Sequence, residues 1–326
     1  MNSAIKFQSI SDQLLFAESV FPLVVTPPRP NITLEESKAW IQQNLRYLET
    51  ELASAGAILF RGFPINSAET FDEFSASFNY QSFTYKESLS NAVRINYTDR
   101  VFTANEAPKD VEIYLHHEMA QTPVSPDKIF FFCKTAADNG GATPICRSDK
   151  LYEAIKEADA ALAKDFLEKG LKYTTLMPFE DNHASGQGRS WKGTLSVESQ
   201  AEAETKLAEL GYTWEWMEDR SLKAITPVLP AVRTLENGTQ TFYNQLVAAY
   251  LGWRGVKENP ASAITYGDDS HIPVESLELV VKLSKDFTFD LDWQDGDMAL
   301  IDNKMAMHGR RPFTGERKRQ VLVALA

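Results

Sequence analysis

Cysteine is nearly absent from this chain, with only Cys133 and Cys146 among 326 residues. Two cysteines are too few for a disulfide framework, and Cys133 closes the apolar run Ile129-Phe-Phe-Phe-Cys133. Both therefore read as small buried hydrophobes in a chain kept in a reducing cytoplasm. Long hydrophobic runs are missing too. The apolar stretch from Leu14 to Val25 is interrupted by Glu18 and Pro22, which argues against a membrane span. The opening MNSAIKFQSISDQ lacks a charged start followed by an apolar core, which argues against a secretion signal. Basic charge is in deficit: 33 Lys and Arg stand against 45 Asp and Glu, for a net charge of -12. No basic block is long enough to track a phosphate backbone, so nucleic acid is not an expected partner. Histidine is scarce as well, at positions 116, 117, 183, 271 and 308.

What is present is a globular composition, with 43% hydrophobic residues in a length that suits one domain over residues 1–326. Thr33 with Glu36 three residues on is a capping-box start. Ile41, Leu45, Leu48 and Leu52 then recur at helical spacing until Gly56 stops the helix. Ala57-Ile-Leu-Phe60 reads as a short strand, and Phe71, Phe74 and Phe78 mark a second helix, so residues up to about 97 read as a largely helical N-terminal buttress. Beyond about residue 98 the pattern is strand-rich. Candidates fall near 111–117, 128–134, 171–177, 212–216, 223–229, 240–245, 298–302 and 318–325, with helices interleaved at 149–155, 159–169, 199–210 and 274–285. Asn139-Gly-Gly141, Glu236-Asn-Gly238 and Gln294-Asp-Gly-Asp297 supply tight reversals. Eight short strands with such turns predict a sandwich or barrel: a mainly β core with flanking helices.

Two of the five histidines sit before an acid in Leu115-His-His-Glu-Met119. In an extended strand, residues two apart share a face, so His116 and Glu118 point one way and His117 the other. One imidazole and one carboxylate make two thirds of the facial triad that binds Fe(II). The third ligand must come from elsewhere, and His308 is the natural choice, since it follows the strand and turn Asp297-Met-Ala-Leu-Ile-Asp-Asn303 and precedes the basic cluster Arg317-Lys-Arg319. A His-x-Glu pair is weak evidence alone, and the same three residues also suit zinc in a hydrolase. His183 and His271 lie in polar loops and read as surface residues.

Beyond this pair, the sequence resembles the clavaminate synthase-like branch of the taurine dioxygenase (TauD/TfdA) superfamily of Fe(II)/2-oxoglutarate-dependent oxygenases. The resemblance is carried by Gly56-Ala-Ile-Leu-Phe-Arg-Gly-Phe63, Arg100-Val-Phe-Thr-Ala-Asn-Glu106, His116-His-Glu-Met-Ala-Gln121, Gly140-Gly-Ala-Thr-Pro144, Gly188-Arg-Ser-Trp-Lys192, Ile301-Asp-Asn303 and His308-Gly-Arg-Arg-Pro-Phe313, in that order, with 190 residues separating Glu118 from His308. It implies a double-stranded β-helix (jelly-roll, cupin-like) core, with His116, Glu118 and His308 as catalytic metal ligands. Thr143 is implied as the hydroxyl near the 1-carboxylate of 2-oxoglutarate, and Arg319 as the guanidinium that grips its 5-carboxylate, with Arg317 the alternative two residues away on the same strand face. Relatives that halogenate replace the carboxylate ligand with a small residue. Glu118 is present, so hydroxylation or desaturation is implied, with O2 consumed and succinate and carbon dioxide released. Many relatives have Asn where His117 stands.

The resemblance points to a small polar or amino-acid-like substrate, free or tethered to a carrier protein, but the residues do not name it. Candidate lining residues are Asn105, Gln121, Arg189, Trp191 and Asn244, each of which could equally serve local hydrogen bonding or packing. Residues 179–194, rich in Gly and polar side chains, read as a lid that brings Arg189 and Trp191 over the site. The competing reading packs Trp191 into the core and uses Arg189 to cap a loop. A metal- or ligand-binding module on the same fold without catalysis stands as the alternative function.

Overall fold

The computed structural model describes the chain except residues 1–4, 18, 85–88, 90–93, 105–106, 182–187 and 254. Seven strands form one sheet in the order Lys6–Phe7, Leu23–Thr26, Ala57–Phe60, Met298–Asp302, Lys128–Thr135, Gln320–Leu325, Val101–Thr103. Four form a second, in the order Thr288–Leu291, Thr143–Arg147, Ala306–Arg310, Ile113–His116. A third sheet orders Thr213–Trp216, Leu222–Ile225, Leu171–Met177 and Ile264–Tyr266. Pairing is antiparallel throughout these sheets, except that Leu23–Thr26 runs parallel to Ala57–Phe60.

Strand alternation sorts the side chains between two cores. Ile129, Phe131 and Cys133 point with Ala299, Ile301, Val321 and Val323 towards the four-stranded sheet, where they meet Ile145, Phe289, Leu291 and Ala306. The intervening Phe130 and Phe132 point the opposite way, with Leu300 and Leu322, against Trp40, Leu48, Phe71 and Phe74 of the two N-terminal helices. The outer face of the four-stranded sheet is covered in turn, with Leu115, Cys146 and Met307 packed on helical residues such as Tyr152, Phe166, Leu246 and Val280. The two large sheets thus face each other across a dry core, and helices close both outer faces.

The first helix, Leu34–Ala55, begins at Thr33 with its capping box to Glu36 and ends at Gly56, whose φ of 81° takes the left-handed region open to glycine. The second, Ala68–Ala76, stops short of Phe78, which is nevertheless buried beside Phe74. The N-terminal stretch is less of a separate helical buttress than its sequence suggests, because three of its strands are built into the seven-stranded sheet. Three further strands escape the sequence pattern. Thr143–Arg147 contains Pro144 and is buried at every position, Ala306–Arg310 contains Gly309 and is also buried throughout, and Thr288–Leu291 is only four residues long. Thr143–Arg147 and Ala306–Arg310 lack the alternation that marks a half-exposed strand, and Thr288–Leu291, which does alternate, is too short to stand out, so their partners make them strands. Conversely, the expected strand near 240–245 shrinks to Gln240–Thr241, since Leu246–Gly252 is helical. Both cysteines are free and buried, and burial pushes each thiol up to about 12, which suits inert packing groups.

Candidate active site

His308 follows the strand Met298–Asp302 and its turn, as expected, but it also sits in the middle of a further strand, Ala306–Arg310. In the register of the four-stranded sheet it is the partner of His116 on one side and of Ile145 on the other. The pairing irregularity between His308 and Arg310 falls where Gly309 lies, and a Cβ there would come within 2.4 Å of the Ile113 carbonyl. Adjacent register puts the two imidazole rings 4.4 Å apart, with Phe131 of the opposite sheet 5.1 Å from His308.

Glu118 lies two residues past the end of its strand, where the chain turns sharply: Met119 has φ of 57°, a left-handed conformation uncommon for a side-chain-bearing residue. Asn303 holds this turn. The Glu118 N–H donates to Asn303 Oδ1 at 2.8 Å, and Asn303 Nδ2 donates to the carbonyls of Glu118 at 3.0 Å and Pro126 at 2.8 Å. The Glu118 carboxylate consequently lies 3.3 Å from His308 Nε2 and 3.7 Å from the guanidinium of Arg94. One donor atom from each of His116, Glu118 and His308 falls within 4.8 Å of the others.

The protonation states favour a cation. His116 Nδ1 is 2.7 Å from the Tyr114 carbonyl, which occupies that nitrogen as a donor and leaves Nε2 as a lone pair. Burial, reinforced by neighbouring His308, pushes His116 down to about 4, so the ring is neutral near pH 7. Burial alone would raise Glu118, but its hydrogen bond with His308 and the charge of Arg94 outweigh that and bring it down to about 2. Two imidazoles and an ionised carboxylate form a donor set that fits a divalent metal of borderline hardness. His117 points away from the other three: its Nδ1 meets the Asn303 carbonyl, its ring lies 4.6 Å from Tyr243, and burial pushes it down to about 3.

A cavity of about 50 Å³ is lined by the triad together with Thr143, Arg319, Arg94 and Phe131. Thr143 is buried and accepts a hydrogen bond from Trp293 Nε1 at 2.9 Å. Arg319 donates through Nε to the Gly141 carbonyl at 2.9 Å; burial, with Arg310 beside it, pushes its pKa down to about 10. Gly141 is needed there, since a Cβ would come 2.9 Å from Arg319 Cδ at a φ of 74°. Arg317 is placed differently: it is exposed, lies outside this cavity and is paired with Asp295 at 2.6 Å.

Among the described residues, Gln121, Arg189, Trp191 and Asn244 do not line this cavity. Asn244 is buried and occupied, donating to the Ala231 carbonyl at 3.0 Å and accepting from the Leu246 N–H at 2.9 Å. Trp191 is 2% exposed and starts the short helix Trp191–Leu195, edge-on to Trp216 at 5.1 Å and near Phe179. Arg189 lies against Gly193 of that helix. Gln121 lines a separate small cavity with Thr122, Thr175 and Tyr212. His271 is exposed, whereas Asn105, His183 and residues 182–187 of the expected lid lie outside the described residues. Sequence reasoning missed Arg94 and the role of Asn303. Neither offers a local signal, because Asn303 reaches its partner across 185 residues and Arg94 is one of many arginines.

The family described as "Taurine catabolism dioxygenase TauD, TfdA family" matches residues 19–325. A clavaminate synthase-like protein of Arabidopsis thaliana is 35% identical over 322 residues, covering 97% of this chain and 96% of the relative. The dapdiamide synthesis protein DdaC of Enterobacter agglomerans is 29% identical over 314 residues, covering 92% of each. Among solved structures, PvcB of Pseudomonas aeruginosa superposes with a TM-score of 0.55 at 15% identity, covering 98% of this chain and 91% of that one. An asparagine oxygenase in complex with Fe(II), 2S,3S-3-hydroxyasparagine and succinate has a TM-score of 0.55 at 11% identity, covering 90% and 83%. Such low identities speak for a shared fold.

Proposed function

The chain belongs to the taurine catabolism dioxygenase TauD, TfdA family, and from that premise we propose that it hydroxylates an unactivated carbon of a small, amino-acid-like substrate at the site bounded by His116, Glu118 and His308. It is an oxidoreductase that uses Fe(II) and 2-oxoglutarate. The two facing sheets are the halves of a double-stranded β-helix, and the site lies between them.

The observation that carries the reading is the convergence of three donor atoms within 4.8 Å in a cavity that Thr143 and Arg319 also line. His116 Nε2, His308 Nε2 and the Glu118 carboxylate would hold the iron. With 2-oxoglutarate and oxygen the iron supplies the oxidising power that attacks a C–H bond, releasing succinate and carbon dioxide. Arg319 grips the distal carboxylate of the dicarboxylate, and the Thr143 hydroxyl, set by Trp293, lies at its other end. Arg94 keeps Glu118 ionised and aimed at its partners. Phe131, with Ile145 and Leu291 behind it, keeps bulk water from the reacting centre. A relative named for dapdiamide synthesis, and a neighbour of the same fold captured with a hydroxylated amino acid, support an amino-acid-like substrate.

Succinate formation with Fe(II), screened across free amino acids, small acids and carrier-tethered aminoacyl groups, tests the reading. Substrate-stimulated succinate with a product heavier by one oxygen is expected for at least one class. A chain that binds Fe(II) and 2-oxoglutarate but forms no succinate with any class would overturn it.

A further inference from the structure

A second cavity, of about 400 Å³, adjoins the triad cavity and shares four wall residues with it: Ala104, Arg310, Arg319 and Val321. Its floor is Phe313, over whose ring the guanidinium groups of Arg310 and Arg319 lie at 5.5 and 5.6 Å. Its rim carries Lys109, Arg317 and Lys318, all exposed. Lys109 and Lys318 have no carboxylate partner among the described residues, and Arg317 is paired outward with Asp295. Among the described residues its lining therefore contains five cations and one carboxylate, Glu316, in a chain whose net charge is -12.

Another groove, of about 1080 Å³, also approaches the four-stranded sheet, but its charges are mixed: Asp12, Glu112, Asp290 and Asp292 stand with Arg61, Lys285 and Arg311, of which Arg61 is paired with Asp297 and Arg311 with Glu112 and Asp290. A dianion diffusing towards this acidic chain is favoured at an opening lined by cations. That opening ends on Arg319.

We propose that the 400 Å³ cavity is the port through which the dicarboxylate cosubstrate enters and succinate leaves. Lys109 and Lys318 capture the dianion, and the Phe313 floor with its two guanidinium groups passes it to the neck at Ala104 and Val321. The proposal rests on the reading of Arg319 as the carboxylate anchor. The primary substrate then has no need to share the route, so product acid and cosubstrate exchange on one side while the target carbon is presented from another.

The test measures association and dissociation rates of radiolabelled 2-oxoglutarate with the Fe(II)-loaded chain, without oxygen, by rapid filtration. In the double variant Lys109→Glu/Lys318→Glu the association rate should fall about tenfold at low ionic strength, with the gap closing in high salt. Separately, Lys318→Cys can be capped with a bulky neutral maleimide, because the native Cys133 and Cys146 are buried. The cap should slow association and dissociation together and leave Kd unchanged, as an obstructed doorway does. A double variant that associates at the parent rate overturns the proposal, as does a cap that alters neither rate. If charge reversal instead slows capture of the primary substrate and spares 2-oxoglutarate, the cavity serves that substrate and the port is elsewhere. Arg319→Ala separates the two layers: unchanged Kd there sinks the anchor itself, whereas a weakened Kd with unaffected Lys109 and Lys318 variants sinks only the port.

Discussion

Around the triad, groups are fixed from several directions at once: His308 is locked by register to both Ile145 and His116, His116 is held by the Tyr114 carbonyl, and the backbone of Glu118 is gripped by Asn303. Around Trp191 the support is local. Its cluster contains Met177, Leu195, Leu207 and Leu222 besides ring contacts with Phe179 and Trp216, and it belongs to the third sheet rather than to the core between the two large ones. The difference teaches that the triad and the Trp191 cluster are supported by separate pieces of packing. A rigid frame keeps the ligand atoms in place, while a small satellite cluster can rearrange without moving them.

The comparison breaks most plainly if a triad residue can be removed without consequence. His116→Ala, Glu118→Ala and His308→Ala should each abolish succinate formation and leave less iron bound after gel filtration, because two remaining ligands do not hold a facial site. Full activity in any one would remove that residue from the ligand set. Next in size is the dicarboxylate anchor. Arg319→Ala should weaken 2-oxoglutarate binding by about 2–4 kcal/mol, as truncation of a charged hydrogen-bonding partner does, whereas Arg317→Ala, which only opens an exposed pair with Asp295, should change it by about 1 kcal/mol or less. Calorimetric titration decides, and reversed effects would mean that the final strand presents Arg317 instead.

Asn303→Ala sharpens the notion of a frame. It deletes three hydrogen bonds around Glu118 and Pro126 and should weaken iron binding about 10- to 100-fold while lowering thermal stability. A variant with altered stability but intact metal affinity would make Asn303 a purely structural residue. The smallest effect on the metal is expected from Trp191→Ala. Emptying that buried position should destabilise the local cluster by about 3 kcal/mol or more, yet leave Fe(II) and 2-oxoglutarate affinity within about twofold. If metal affinity fell with it, the two regions would be one cooperative unit. Hydrogen exchange of amides 188–195 completes the comparison. New protection on adding the true substrate supports a lid built on this helix, and unchanged strong protection removes it.

The sequence alone determined the elements whose causes are local. The capping box at Thr33, the stop at Gly56 and the apolar run from Ile129 to Cys133 each follow from neighbours a few residues away, and the structure contains all three. It also brought His116 and Glu118 together by proximity and proposed His308 through a recognisable order of motifs. What it misplaced shares one property, dependence on distant partners. Ala306–Arg310 lacks a strand's alternation because both its faces are buried, so a gap and a turn were expected where a central strand carries His308. Arg317 and Arg319 share a strand face in sequence, and only the folded environment separates them: Asp295 draws one to the surface, while Gly141 leaves room for the other beside the triad. Trp191 and Asn244 carry groups that suit a substrate, yet the Trp191 ring is packed against Trp216 and the Asn244 amide is already hydrogen-bonded to Ala231 and Leu246. A side chain's chemistry is written in its own residue, but its availability is decided by whatever the fold packs against it, and that information is spread over the whole chain.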